Sequence, residues 1–121
     1  MAGDRLRIKR VYEDPSRADG LRVLIDRLWP RGITKEAAAI RLWLKDAAPS
    51  TALRKDFCHD PELFPEFRTR YLRELAQLDP SVLEPVLTPL REERAVTLIY
   101  AAKDPVHNHA VVLAERVRMV L

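Results

Sequence analysis

The feature that most constrains the fold is the run Val96-Thr97-Leu98-Ile99-Tyr100 together with the polar break and apolar stripe after it. A nearly continuous apolar run of β-formers reads as a strand buried on both faces, the environment of a parallel sheet. Lys103-Asp104-Pro105 breaks the run, and Ala110, Ala114, Val117 and Leu121 then recur at helical spacing. With Asp104 as cap and Pro105 as first helical residue, a helix is predicted over 105–120. Strand, tight polar loop and helix form one unit, and the rest of the chain must supply partners for its strand.

Three other segments can do so. Leu6, Ile8 and Val11 alternate with charged residues over 6–12, a first strand. Leu21–Leu28 is more continuously apolar and is placed centrally, with Pro30 ending it. Ile40, Leu42 and Leu44 alternate with Arg41, Trp43 and Lys45 in a further extended piece. Between these lie helical stretches: a short one capped by Thr34, one over 51–57 capped by Ser50, and one from Asp60-Pro61 to about 78. The last carries Phe64, Phe67, Tyr71, Leu75 and Leu78 on one face. Pro85 and Pro89 predict short or kinked turns over 80–92. Strands separated by helical crossovers, with no two-residue turn joining neighbours, imply a compact single-domain α/β layered fold. Its sheet is expected to be largely parallel and flanked by helices.

Open parallel sheets hold ligands at the carboxyl ends of their strands. Two polar segments fall there. One is Asp26-Arg27-Leu28-Trp29-Pro30-Arg31-Gly32, after the Leu21–Ile25 run; the other is Lys103-Asp104 with His107-Asn108-His109. Arg27 and Arg31 have the planar fork that grips phosphate or carboxylate. Asp26 and His107 are the residues suited to move a proton. A helix start near Asp104 and Asn108 offers free amides to an anion. On a wheel centred on the Ala110, Ala114, Val117 and Leu121 stripe, His107 falls about 60° from the centre and His109 about 100° away on the other flank. That geometry favours His107 over His109 and turns Asn108 outward. Trp29, Lys45, Lys103, Asp104 and Asn108 complete the candidate ligand-binding set, with Trp43 near the same edge. Tyr71 and Glu74 fall on or near the buried helix face, where a carboxylate needs a partner, and an arginine of the 26–31 loop is the candidate.

Composition narrows the chemistry. The 121 residues carry a net charge of +3 and a pI near 9.3, with 16 of the 21 basic residues arginine. This favours anionic partners. Three glycines, Gly3, Gly20 and Gly32, cannot write a phosphate-cradling glycine loop, which weighs against a dinucleotide-binding Rossmann protein or a P-loop NTPase. His107 and His109 are two residues apart and diverge on a helix, so no metal site is assigned; Cys58 and His59 have no spacing that demands one. The single cysteine fits a reducing compartment. The charged stretch Met1–Arg10 lacks a signal-peptide core, and no apolar run approaches the roughly 18 residues of a membrane span, so a cytoplasmic location without membrane contact is expected. The residues leave the identity of any cofactor unknown.

The residues also carry a resemblance. Arg22–Gly32, Lys35, Trp43-Leu44-Lys45, Ala48-Pro49-Ser50, His59, Phe67, Tyr71, Glu74-Leu75, and Thr97–Asp104 with His107–Ala110 resemble the YeaO-like family, a bacterial branch of the domain of unknown function 488. The resemblance spans nearly the whole chain. It implies a compact α/β domain of bacterial cytoplasmic type and assigns no reaction. Other branches carry Cys-His-Arg at the helix start, where this chain has Asn108-His109-Ala110, so their thiol chemistry does not transfer.

Three functions are compatible with these residues. The first is binding of, or catalysis on, a small anionic ligand, nucleotide-like ligands included, at the strand carboxyl ends. The second is a nucleic-acid-binding or regulatory module, resting on pI and on Arg68, Arg70, Arg73, Arg91 and Arg94. The third is a structural or interaction protein in which the polar cluster serves only the fold.

Overall fold

The computed structural model describes residues 5–121; Met1–Asp4, the start of the charged amino-terminal stretch, lie outside the described residues. Four parallel strands form one sheet: β1 (Leu6–Arg10), β2 (Leu21–Leu24), β3 (Leu42–Trp43) and β4 (Val96–Tyr100), in the order β1-β4-β2-β3. β4, the run that most constrained the fold, is an interior strand, and all five of its residues are buried.

Helices α2 (Thr51–Phe57), α3 (Phe64–Ala76), α4 (Glu84–Arg91) and α5 (His109–Val120) contribute to the main core. There Phe57, Phe67, Tyr71, Val86, Leu90 and Leu113 meet Val23, Ile25, Val96 and Leu98 of the strands and their ends. Each such side chain, fully buried, contributes about 1.5–3 kcal/mol. A second, smaller core gathers Val11, Leu24 and Ile99 with Ala38 of α1 (Lys35–Ala38) and Ile40, and Trp29 and Ile33 pack against it. Strand alternation divides the strands this way: Val23 and Ile25 join one core while Leu24 joins the other.

The strands are shorter than the 6–12 and Leu21–Leu28 runs expected to form them. β1 ends at Arg10 and β2 at Leu24, although single bonds carry the ladder a residue further, Val11 N–H to Tyr100 O at 2.7 Å and Ile25 N–H to Ile99 O at 3.0 Å. Ser50 and Thr34 cap their helices as expected. The Asp60-Pro61 start produces a 3-10 turn before α3 begins at Phe64. Over 80–92 a 3-10 turn, Pro80–Val82, precedes α4. Pro89 lies inside α4, where its missing N–H removes the bond to the Pro85 carbonyl, and the helix ends two residues later at Arg91.

The last helix corrects the sequence reading. It begins four residues later than expected, and Asn108, not Asp104, is its cap, accepting from Val111 N–H at 3.1 Å. Asp104 instead closes a separate turn, accepting from the amides of Val106 and His107.

At the amino-terminal ends of β2 and β4 a charged knot ties the chain. Asp19 accepts from Arg22 at 2.6 Å and from Lys9 at 3.2 Å, and Arg22 is only 3% exposed. Gly20 has φ +63°, and a Cβ there would lie 2.1 Å from the carbonyl oxygen of Ala95. Only glycine fits this crossing.

Candidate functional site

The chain leaves β2 toward β3 on one side, and leaves β4 into α5, which packs on β1 and β4 on the other. The two connections part at the carboxyl edge of adjacent strands, the switch-point geometry that opens a crevice in α/β sheets. A cleft of about 930 Å³ opens there.

Its floor joins the two connections. Asp26 follows β2 directly; its Oδ2 accepts from Ala101 N–H at 3.2 Å, pinning the end of β2 to the end of β4. Its Oδ1 lies 2.8 Å from Nε2 of His109, the first residue of α5. The contact lacks the in-line geometry of a hydrogen bond, and neither of these buried atoms has another partner. An aspartate against a histidine can hold a proton on the imidazole or orient one ring tautomer.

His109, not His107, therefore meets Asp26. The expected wheel omitted Val112 and Leu113, both fully buried. Counting them widens the buried arc until it includes His109, and a side chain on the first helical turn leans back toward the strand ends. His107 sits before the helix, its Nδ1 2.8 Å from Asp104 Oδ2 and its ring edge-on to Phe64 at 5.3 Å. It is not among the residues lining the cleft. The amides of His107 and Val106 and the His107 ring hold the Asp104 carboxyl down at about 2. Asn108, expected to face outward, is buried and lines the cleft, its Nδ2 donating to Asp104 O at 2.8 Å.

The arginines of the opening loop divide. Arg27 lines the cleft, but its Nε and Nη2 donate to Pro49 O and Ala48 O at 3.0 and 3.1 Å, so it braces the segment before α2. Arg31 is exposed and outside the cleft lining, as is Lys45, whose ammonium lies 5.1 Å over the Trp43 ring. Trp43 donates to Asp26 O at 2.7 Å and meets Trp29 edge-on. Trp29 lines the cleft and donates to Ile33 O, and Lys103 and Asp104 also line it. Glu74 is held by Ser50, through N–H at 2.8 Å and Oγ at 2.6 Å, rather than by an arginine of the 26–31 loop. Beside it Tyr71 donates to Ala47 O, and its burial pushes the phenol well above its usual range.

Sequence reasoning missed Arg10, Tyr12, Arg54 and Phe67 as cleft residues, and left His59 unassigned. Arg10 was within reach, since it ends a strand of a parallel sheet; its Nε donates to Ala101 O and Ala102 O, and its guanidinium lies 4.6 Å over the Tyr12 ring. Arg54 is on α2, which approaches the edge only through tertiary packing, and no local signal marks it. His59 follows Cys58 in two successive left-handed positions, φ +47° and +57°, which turn the chain back toward the cleft. Four cationic side chains, Arg10, Arg27, Arg54 and Lys103, thus line the cleft against two carboxylates, Asp26 and Asp104. No group of three or more metal-ligating side chains gathers among the described residues.

The parallel sheet, its flanking helices and the cleft at its carboxyl edge define a compact α/β domain. The chain belongs to the DUF488-N3i family, described as the inactive DUF488-N3 subclade, whose model matches residues 5–121. It is 42% identical over 113 residues to the uncharacterized protein YeaO of Escherichia coli strain K12, covering 93% of this chain and 96% of that one. It is 44% identical over 111 residues to an uncharacterized protein of Mycobacterium tuberculosis strain H37Rv and to one of Mycobacterium bovis, covering 92% of each chain. These matches bear out the resemblance read from the sequence. No solved structure gives a significant match.

Proposed function

We propose that this protein binds a small anionic ligand in the cleft at the strand carboxyl ends. The observation that carries this reading is the excess of Arg and Lys over Asp in a cleft of ligand size. Arg54, Lys103 and His59 make no side-chain hydrogen bond or ion pair among the described residues, so they supply the contacts to the anion, while Arg10 and Arg27 hold the walls. Binding without turnover fits best. The family description is of an inactive subclade, and the Asp26–His109 pair has no cysteine beside it, since Cys58 is exposed on the end of α2.

The nucleic-acid reading has weaker support. Arg68, Arg70, Arg91 and Arg94 are paired with Glu115, Asp56, Glu84 and Glu92, which neutralises four of the five arginines on which that reading rests.

The test is thermal denaturation of the full chain at low salt with phosphate, benzoate, phenyl phosphate and nucleoside monophosphates. Binding at about 100 times Kd stabilises the native state by about 2.7 kcal/mol, a shift of several degrees. Arg54→Ala with Lys103→Ala should abolish the shift and leave the unliganded Tm nearly unchanged. Failure of every anion to move the Tm refutes the reading. Asp26→Asn separates it from a purely structural role. A large loss of stability with unaltered binding assigns Asp26 to the fold alone.

A further inference from the structure

We infer that the ligand is a planar aromatic or heteroaromatic ring carrying a phosphate or carboxylate head; this rests on the anion-binding reading above. The cleft volume, about 930 Å³, is near the upper end for small-molecule sites, far more than an inorganic anion fills. Its mouth exposes large apolar side chains, Tyr12 at 49% and Leu28 at 63%.

The polar atoms of the aromatic walls are already used. The Tyr12 hydroxyl donates to Arg31 O at 3.3 Å, and the Trp29 indole N–H donates to Ile33 O at 2.7 Å. What these two residues still present is ring surface, which favours stacking of a flat body over hydrogen-bonded recognition. Arg10 adds a planar cation at the Tyr12 ring. With the Nε of Arg10 and two donors of Arg27 committed to backbone carbonyls, the anionic head falls to Arg54, Lys103 and His59. The site thus divides into a ring-binding side, from β1 and β2, and a head-binding side, from α2 and the loop after β4.

Isothermal titration of the full chain with methyl phosphate, phenyl phosphate, benzoate and adenosine monophosphate, at one ionic strength, tests this division. Phenyl phosphate should bind about tenfold or more tighter than methyl phosphate, the range for stacking one ring. It should also quench the tryptophan fluorescence, an effect that methyl phosphate does not produce and that Trp29→Phe abolishes. Tyr12→Ala with Leu28→Ala should remove most of the ring preference and leave methyl phosphate affinity as it was. Arg54→Ala should weaken both phosphates by the same factor. A further gain for the nucleotide over phenyl phosphate identifies a nucleotide as the source of the ring; a loss identifies a simple aryl acid. Equal affinities for methyl and phenyl phosphate overturn the ring assignment while the anion site stands. No binding by any of the four overturns both.

Discussion

Asp19→Ala probes the buried charge knot. Arg22 is almost wholly buried, with Nη1 2.6 Å from Asp19 and Nε 2.8 Å from Ala38 O, while Nη2 has no partner. Removing the carboxylate leaves a buried guanidinium with one bond and no counter-charge, a change worth about 3–5 kcal/mol. Lys9 adds little, because its ammonium can turn to water, about 0–1 kcal/mol. The lost bond from Ser16 N–H to the carboxylate adds about 1 kcal/mol. The total approaches the whole stability of a marginal domain, about 5–15 kcal/mol. Burial alone would raise the Asp19 pKa, but bonds from Ser16, Lys9 and Arg22 outweigh it and set it below its ordinary 3.8. A depressed folded value stabilises above the unfolded pKa and ceases to do so as pH falls through the folded one. Urea unfolding followed by tryptophan fluorescence should therefore show the full gap between wild type and variant at pH 7 and a narrower one below about pH 4. A loss under about 1 kcal/mol at pH 7, or a gap that ignores pH, refutes the reasoning. Asp19→Leu with Arg22→Met should recover most of the loss, because it removes both charges.

Gly20→Ala forces a Cβ onto the Ala95 carbonyl and should cost about 3 kcal/mol or more; a Tm within a degree or two of wild type would contradict the observed crossing. Asn108→Ala removes the cap of α5 and a bond to Asp104 O, about 1–2 kcal/mol, and should speed amide exchange at Val111 above all. Asp104 should titrate near 2 by carboxyl carbon NMR, because its protonation forfeits bonds from the amides of His107 and Val106. A midpoint in the ordinary carboxylate range would mean that this turn is open in solution.

Much of the fold was legible because the strands are apolar and the caps are local. Val96–Tyr100 announced an interior strand, and Ser50 and Thr34 announced their helices, each through a bond made within three residues. The start of α5 misled because Asp104-Pro105 satisfies the same local rule as Asn108, and only tertiary burial of Asn108 decides between them. The candidate site was half legible. Asp26, Arg27, Trp29, Lys103, Asp104 and Asn108 reach the cleft because they follow strand ends in a parallel sheet. Arg31 and Lys45 do not, since loop direction after Pro30 and after β3 is not written in the residue types. Arg54 and His59 come from a distant helix that sequence spacing cannot place.

The smaller core gives the cleft a second property. Among the described residues, one face of the sheet is held by four helices and the other only by α1 and the loops beside it, with five buried residues between. The loop that contributes Asp26, Arg27 and Trp29 to the cleft also forms the cover of this thin layer, through Trp29 and Ile33. A layer with so few buried contacts opens at lower free energy than the helical side. On the anion-binding reading proposed above, a ligand that rests on Trp29 braces this layer through the Trp29–Ile33 bond, and hydrogen exchange over Ile33 to Ile40 should slow when it binds.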